Sequence, residues 1–405
     1  MAHVVIRPPT AQRIDAYNVA LKYASDILTG RIVAGKLIKL AAKRFISDLK
    51  VGPDRGIIFD KQAAQHVIDF FSTLHHSKGE WGPRPGCRLG DPFMLSPWQV
   101  FILANLFGFK LASNGFRRFR RAHIEVARKN GKSTFMAGIA LYMLAYDGEP
   151  GAECYAIATK KDQAREVFDE AVRIAQKTMS NKVHFSGGKL PTNISILGTA
   201  SKFQVQASDY GTADGKNVHF LCADELHQHP SRLLWDAYSQ AVGSRRQPML
   251  IGITTAGYDT TGICYQQRNI GSNVLSPSSL EEVVAGDSFF AYIACIDEPD
   301  KEGKNGDDPF NETCWIKANP NLGVSVKLDD LRVEAGLAKI DASALNSFLC
   351  KKLNVWVNQE FRWMDPLRWA QCNTAGQYSN PKELRAAAIK KLQGRMAIGG
   401  LATFL

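Results

Sequence analysis

Residues 124 to 134 read Ile-Glu-Val-Ala-Arg-Lys-Asn-Gly-Lys-Ser-Thr, an apolar strand running straight into Gly131-Lys132-Ser133-Thr134. No other stretch constrains the fold as strongly. A strand that feeds a tight glycine turn and then a helix leaves the first helical N–H groups facing outward without partners. That is a ready seat for phosphates. In such a seat Lys132 would reach the β- and γ-phosphates of a nucleoside triphosphate, and the Ser133 hydroxyl would be a ligand of Mg²⁺. The general pattern also asks for a glycine at 126, where this chain has Val126. The competing reading is a Lys-Ser pair that starts an ordinary helix.

A second segment favours the phosphate reading. Val218-His219-Phe220-Leu221-Cys222-Ala223 is continuous enough to be a strand buried on both faces of a parallel sheet, and it ends in Asp224-Glu225. Adjacent carboxylates at the end of a buried strand are costly to desolvate unless a cation or a reacting water uses them. The first acid, Asp224, then belongs to the Mg²⁺ shell and the second, Glu225, polarises the attacking water. A solvated acidic pair at a strand end is the alternative.

Charge adds a partner class. The balance of 50 Lys and Arg against 39 Asp and Glu gives +11, which favours a polyanion. The densest cluster, Arg117-Arg118-Phe119-Arg120-Arg121, is either a contact to a phosphate backbone or a solvated β-edge. Eight cysteines with no Cys-x-x-Cys spacing point to reduced thiols inside a cell, with Cys222 and Cys295 in the core. No apolar run is long enough to span a bilayer, and no signal pattern opens the chain.

The order of elements predicts an α/β fold. Strands are expected at 122–127, 153–159, 203–207, 218–223, 248–254 and 289–296, and helices at 133–145, 161–178 and 232–242. Helices with basic faces are expected at 17–28 and 34–49, another at 61–74, and an apolar one starting at Pro97-Trp98-Gln99. A charged, Gly-rich stretch at 300–308 reads as a linker or exposed loop. The Trp-rich segment 310–370 and a last basic helix, 381–392, read as helical. His227-Gln228-His229 suits a turn or helix start better than a metal site, having no further acid or Cys at ligand spacing.

These residues resemble the large terminase subunit of tailed bacteriophages, the ATP-driven motor that packages DNA into capsids. Arg128-Lys129-Asn130-Gly131-Lys132-Ser133 is similar to the family's variant loop, and Asp224-Glu225-Leu226-His227 to its acidic motif. Thr254-Thr255-Ala256-Gly257 resembles the motif that couples hydrolysis to movement, and Pro97-Trp98-Gln99 the motif whose Gln reads adenine. Trp315, Ala318-Asn319-Pro320-Asn321-Leu322-Gly323 and Leu353-Asn354-Val355-Trp356 also look like this family.

The resemblance implies an ASCE-type P-loop NTPase with a mostly parallel sheet, a helical N-terminal region and a helical C-terminal lid or linker. It implies ATP and Mg²⁺ as cofactors, with ATP held by Gln99, Arg128, Lys129, Asn130, Gly131, Lys132, Ser133 and Thr134. Mg²⁺ would be held by Ser133 and Asp224. Glu225, Lys132 and Arg128 would be catalytic, and Thr254 and Thr255 would couple hydrolysis to movement. Gln99 has an alternative role as a helix cap, Arg128 as a surface arginine, and the two threonines as plain β-branched strand residues. The family's trans-acting arginine has no counterpart in 211–216; Lys216, Arg245 and Arg246 are the weak candidates.

Double-stranded DNA, the portal protein and the small terminase subunit are the implied partners, with a homo-oligomeric ring on the portal in the cytoplasm of the bacterial host and no membrane. The expected division is 1–90 helical, 91–300 ATPase, 301–394 linker or lid, and 395–405 a vestige of the first nuclease strand. That strand usually reads Gly-Gly-Leu-Asp, whereas Gly399-Gly400-Leu401 is followed here by Ala402. The expectation is therefore a terminase truncated before its nuclease, a product of a decayed prophage, without endonuclease activity. Two other functions remain open: a non-catalytic DNA- or capsid-binding remnant, and a generic helicase-like P-loop ATPase.

Overall fold

The apolar runs become the strands of a largely parallel sheet. In the computed structural model the described residues are 13–357, apart from 86, 88, 159–160, 189, 208–214 and 300–303. The strands are β1 (Ile57–Phe59), β2 (Phe109–Leu111), β3 (Arg121–Glu125), β4 (Glu153–Ala158), β5 (His184–Ser186), β6 (Asn193–Ile196), β7 (Ser201–Ala207), β8 (Val218–Asp224), β9 (Met249–Thr254) and β10 (Phe289–Ile293). β1 and β2 form a small antiparallel pair; the rest order as β10-β3-β9-β8-β4-β7-β6-β5. From β10 to β7 every pairing is parallel, and β6 and β5 turn antiparallel.

This order positions the site. β9 lies between the strand that ends in the phosphate loop and the strand that ends in Asp224. In register, Ile253 stands opposite both Ile124 and Asp224, and Thr254 opposite Glu125. All three strands therefore deliver their carboxyl ends to one crevice, where open α/β sheets bind ligands. A P-loop strand and an acidic strand separated by one further strand is the ASCE-type arrangement expected from the resemblance.

Helices cover both faces because both are apolar. The helices are α1 (Ala16–Leu28), α2 (Lys36–Val51), α3 (Lys61–Ser72), α4 (Pro97–Leu103), α5 (Lys132–Ala145), α6 (Lys161–Thr178), α7 (Leu233–Gln240), α8 (Ile263–Leu275), α9 (Leu280–Ala285), α10 (Trp315–Ala318), α11 (Leu328–Ala338) and α12 (Ala342–Lys352). Along β8, Phe220 and Cys222 join the core that also packs α1 to α6. Leu221 and Ala223 face the opposite way, toward Trp235 of α7, Cys264 of α8 and Trp356. A third core gathers α10, α11 and α12 around Trp315 and Phe348. The helix begun at Pro97 passes into a π-helical turn at Ala104–Gly108 rather than running on unchanged. Among the described residues no helix is long and apolar enough to cross a membrane.

The arginine cluster departs from both readings of it. Arg117 and Arg118 are buried. Arg117 pairs with Asp147 and donates to the carbonyl of Gln247. Arg118 donates to Asp48 of α2 at 2.7 Å and to Asp287 at 2.6 Å. Arg55 joins the same two carboxylates. Only Arg121 is exposed and Arg120 half-buried. The cluster is thus mainly an internal ion-pair network that fastens the N-terminal helices to the sheet, because each buried guanidinium has found carboxylates. The expected basic helix 381–392, the vestige 395–405 and residues 211–214 lie outside the described residues.

Candidate nucleotide site

β3 ends at Glu125, residues 126–130 turn, and α5 opens at Lys132 with no side chain capping it. Gly131 has φ +79°, a left-handed conformation that only glycine adopts without strain. Its Cβ position is nearly open, with only the Asn321 amide 3.9 Å away, so the requirement is conformational rather than one of space. Lys129 also sits at φ +70°, and its carbonyl is held by the Ser325 hydroxyl at 2.7 Å. The uncapped amides of α5 beside this turn are what a phosphate group would use.

Lys132 is buried and donates from Nζ to the carbonyls of Val126 (3.0 Å) and Ala127 (3.3 Å). Burial pushes its pKa down, while Glu225 and Asp224 pull it up. The charges of the two acids are therefore felt at the amine. Arg128 is half-buried, and its charge is felt at both Lys132 and Glu225. Ser133 and Thr134 are half-buried in the first turn of α5, and Lys129 is exposed.

All seven residues of β8 are buried, so Asp224 and Glu225 emerge from an apolar wall. Burial and the neighbouring Glu225 push Asp224 up to about 7. Burial acts on Glu225 in the same sense, but contact with His227 and the charge of Lys132 outweigh it and hold this carboxyl down at about 2. Glu225 has φ +47° and donates its own N–H to Asp224 Oδ1 at 2.9 Å. A left-handed glutamate costs about 1–3 kcal/mol and persists only where its surroundings over-determine it.

Those surroundings include His227, for which the sequence suggested only a turn. It does lie in a short 3₁₀ turn, Leu226–Gln228. Its Nδ1 is 3.1 Å from Glu225 Oε2 and 2.9 Å from Thr254 Oγ1, and its backbone N–H donates to the same hydroxyl at 3.2 Å. Because the Thr254 hydroxyl donates to the Thr255 carbonyl at 2.8 Å, its oxygen is left to accept, which assigns the proton to Nδ1. Thr255 Oγ1, just past the end of β9, is buried with no partner. A hydroxyl such as that of Ser133 and a carboxylate such as that of Asp224 are the oxygen donor types that a hard cation such as Mg²⁺ takes.

Two expected ligands have structural duties. Asn130 is buried, with Nδ2 donating to the Ala127 carbonyl at 3.0 Å and to Asn319 Oδ1 at 3.1 Å. Gln99 accepts the Ser96 N–H on Oε1 at 2.9 Å, so the helix-cap alternative describes one end of its amide. Of the weak arginine-finger candidates, Arg245 is tied to Glu149 and to the carbonyls of Asn217 and Pro150. Lys216 lies over the Tyr155 ring at 4.7 Å. Arg246 is exposed.

Sequence reasoning missed Glu125, which ends the P-loop strand and is wholly buried. It pairs with Arg268 of α8 at 2.5 Å and His123 at 3.1 Å, and accepts from Trp356 Nε1 at 3.2 Å. Burial pushes its pKa up, but Arg268 and His123 outweigh it and hold the carboxyl below its ordinary range. An acid inside the run Ile124-Glu125-Val126 was the available signal, since a buried carboxylate demands a partner.

Family models and known proteins match parts of this chain. The family model for the terminase large subunit ATPase domain matches residues 97–272, and the model for the terminase large subunit endonuclease domain matches 283–384. Protein YmfN of Escherichia coli strain K12 is 35% identical over 159 residues, covering 39% of this chain and 32% of that protein. The large terminase subunit of Enterobacteria phage HK97 is 26% identical over 302 residues, covering 71% of this chain and 53% of its own length. The chain thus spans between a third and about half of these relatives. The crystal structure of the HK97 large terminase superimposes with a TM-score of 0.56 at 21% identity, over 76% of this chain and 58% of that one.

The endonuclease match corrects one expectation. The chain is not truncated before the nuclease domain, and the inference that endonuclease activity is absent falls with it. The error lay in anchoring the domain's start to one tetrapeptide at 399–402. The matched segment begins at 283, within α9 and just ahead of β10, so the nuclease-family sequence starts while the chain is still building this sheet.

Proposed function

We propose that the chain is a member of the terminase large subunit family of bacteriophages and that it hydrolyses ATP to drive double-stranded DNA into a procapsid. The observation that carries this reading is the electrostatic convergence of Lys132 with Asp224 and Glu225 across β9. ATP would lie with its phosphates on the amides of Gly131, Lys132, Ser133 and Thr134 and its base near Gln99. Lys132 would exchange the carbonyls of Val126 and Ala127 for phosphate oxygens, and Arg128 would fork onto the γ-phosphate. Mg²⁺, held by Ser133 and Asp224, would neutralise charge on the phosphates. Glu225 would orient the attacking water and take up its proton, with its Oε2 lying 3.1 Å from His227 Nδ1. Thr254 and Thr255, which end the strand between the two halves of the site, would carry the hydrolytic state to the rest of the chain.

The wider assignments follow from the family. The portal protein and the small terminase subunit are the expected partners, and a ring on the portal is the working assembly, in the host cytoplasm. The N-terminal helices and the ATPase core would be the corresponding divisions, with the endonuclease-family segment 283–384 overlapping the end of that core. Phosphate release with and without double-stranded DNA tests the reading. Wild type should turn over faster with DNA, Lys132→Ala should lose nucleotide binding, and Glu225→Gln should lower kcat by about 10²–10⁴. No turnover by the wild-type chain would favour a non-catalytic DNA- or capsid-binding protein instead.

A further inference from the structure

The phosphate loop is not a free-standing cradle. Its backbone is bonded residue by residue to the segment 318–351. The Ala127 N–H donates to the Ala318 carbonyl and the Arg128 N–H to that of Lys351, at 3.4 and 3.0 Å. The most connected member of this hold is Asn321. Its backbone N–H donates to Asn130 Oδ1 at 3.0 Å, and its Nδ2 donates to the Asn130 carbonyl at 3.1 Å. Its Oδ1 accepts from the Ser96 hydroxyl at 2.7 Å and from Trp98 Nε1 at 2.8 Å. Asn319 braces the same loop through Asn130 Nδ2 at 3.1 Å and anchors itself to the carbonyls of Trp315 and Lys352.

Ser96 and Trp98 form the start of α4, the element that carries Gln99. Trp98 is fixed in turn by stacking on Tyr292 of β10, ring centroids 5.7 Å apart. One buried amide therefore ties the stretch assigned to the base to the stretch assigned to the phosphates. Asparagine suits the place because each end of the side chain is used with its own polarity: an aspartate could not donate to the Asn130 carbonyl, and a leucine could do neither. Buried and bonded at every polar atom, the bridge is stiff, since leaving any of its bonds unmade is costly.

We propose that Asn321 is a positioning residue that sets the spacing between the start of α4 and the phosphate loop, and so makes the base count toward triphosphate affinity. This rests on the nucleotide reading above. With the bridge cut, the loop still binds phosphates but the base no longer reports to it. A merely structural role would weaken every ligand of the loop alike.

Equilibrium binding of ATP, GTP and inorganic tripolyphosphate to the full chain separates these cases, with steady-state hydrolysis measured alongside. Wild type should prefer ATP. Asn321→Ala should weaken ATP about tenfold and erase most of the preference, with tripolyphosphate affinity changed no more than about twofold. KM for ATP should rise while kcat at saturation holds within about threefold. Ser96→Ala keeps both bonds to Asn130 and should move in the same direction by less; it decides the question if Asn321→Ala does not fold. Equal weakening of all three ligands, an ATP preference kept in both variants, or a wild type that binds ATP and GTP equally would overturn the proposal while leaving the nucleotide site standing. A wild-type chain that binds no triphosphate overturns both.

Discussion

His227 reaches Glu225 across 3.1 Å, Nδ1 to Oε2, while the same nitrogen sits 2.9 Å from the hydroxyl of Thr254. The ring therefore stands between the residue assigned to the attacking water and the strand assigned to coupling. It also helps explain how a glutamate persists at φ +47°. Removing it frees the carboxylate without removing the carboxylate's chemistry.

His227→Ala should accordingly lower kcat for ATP by about 10–100-fold, as expected for a catalytic group shifted by a fraction of an ångström, with KM little changed. Steady-state hydrolysis decides this. A variant with wild-type kcat would show that Glu225 does not depend on the ring.

Arg268→Ala leaves the Glu125 carboxylate buried at the foot of the phosphate loop without its nearest cation. Stripping one partner from a buried pair costs about 3–5 kcal/mol. Urea denaturation should report a loss of this size. A loss under 1 kcal/mol would mean that the charge is held unaided by His123, Trp356 and Asn354, whose Nδ2 donates to Glu125 Oε1 at 3.4 Å.

Asp224 carries a pH signature in the nucleotide-free protein. Its folded pKa, about 7, lies above the ordinary 3.8 of an aspartate, so between those values the native state holds more protons than the unfolded one. Stability from this group is complete below about pH 4 and is lost as pH rises toward 7, with a slope no steeper than about 1.4 kcal/mol per pH unit. Asp224→Asn should flatten that portion of the stability profile. Parallel profiles for variant and wild type would show that Asp224 titrates like an exposed acid.

Arg118→Ala should destabilise the chain, but by less than the about 3–5 kcal/mol of a buried charge left unpaired, because Arg55 still bridges Asp48 and Asp287. Arg121→Gln, on the exposed end of the same cluster, should leave stability unchanged and reduce the salt slope of DNA binding by at most about 1. A steep loss of DNA affinity in Arg118→Ala with wild-type stability would restore the cluster to the surface.

The parts of the fold that were legible are those where local pattern and burial agree. Val218–Asp224 is buried at every position, so its apolar run could only be a central strand. β5 and β6 were missed because they are short and mostly half-exposed, and carry no such run. In the site, Gly131, Lys132, Asp224 and Glu225 announce themselves through residue types at strand ends. Glu125 does not, because the partners that explain it, Arg268 and Trp356, lie 143 and 231 residues away. Arg117 and Arg118 misled for the same reason. A run of like charges reads as surface until Asp48, Asp147 and Asp287 are brought against it.

The bonding of the loop to residues 318–351 also decides where this chain can be cut. The ATPase family match stops at 272, an inviting place to end an expressed fragment. Such a piece would strip β10 from the flank of β3 and leave four successive peptide units, at Ala127, Arg128, Lys129 and Asn130, without their hydrogen-bonding partners. Across the boundary that the family match draws at 272, the described residues fold as one unit.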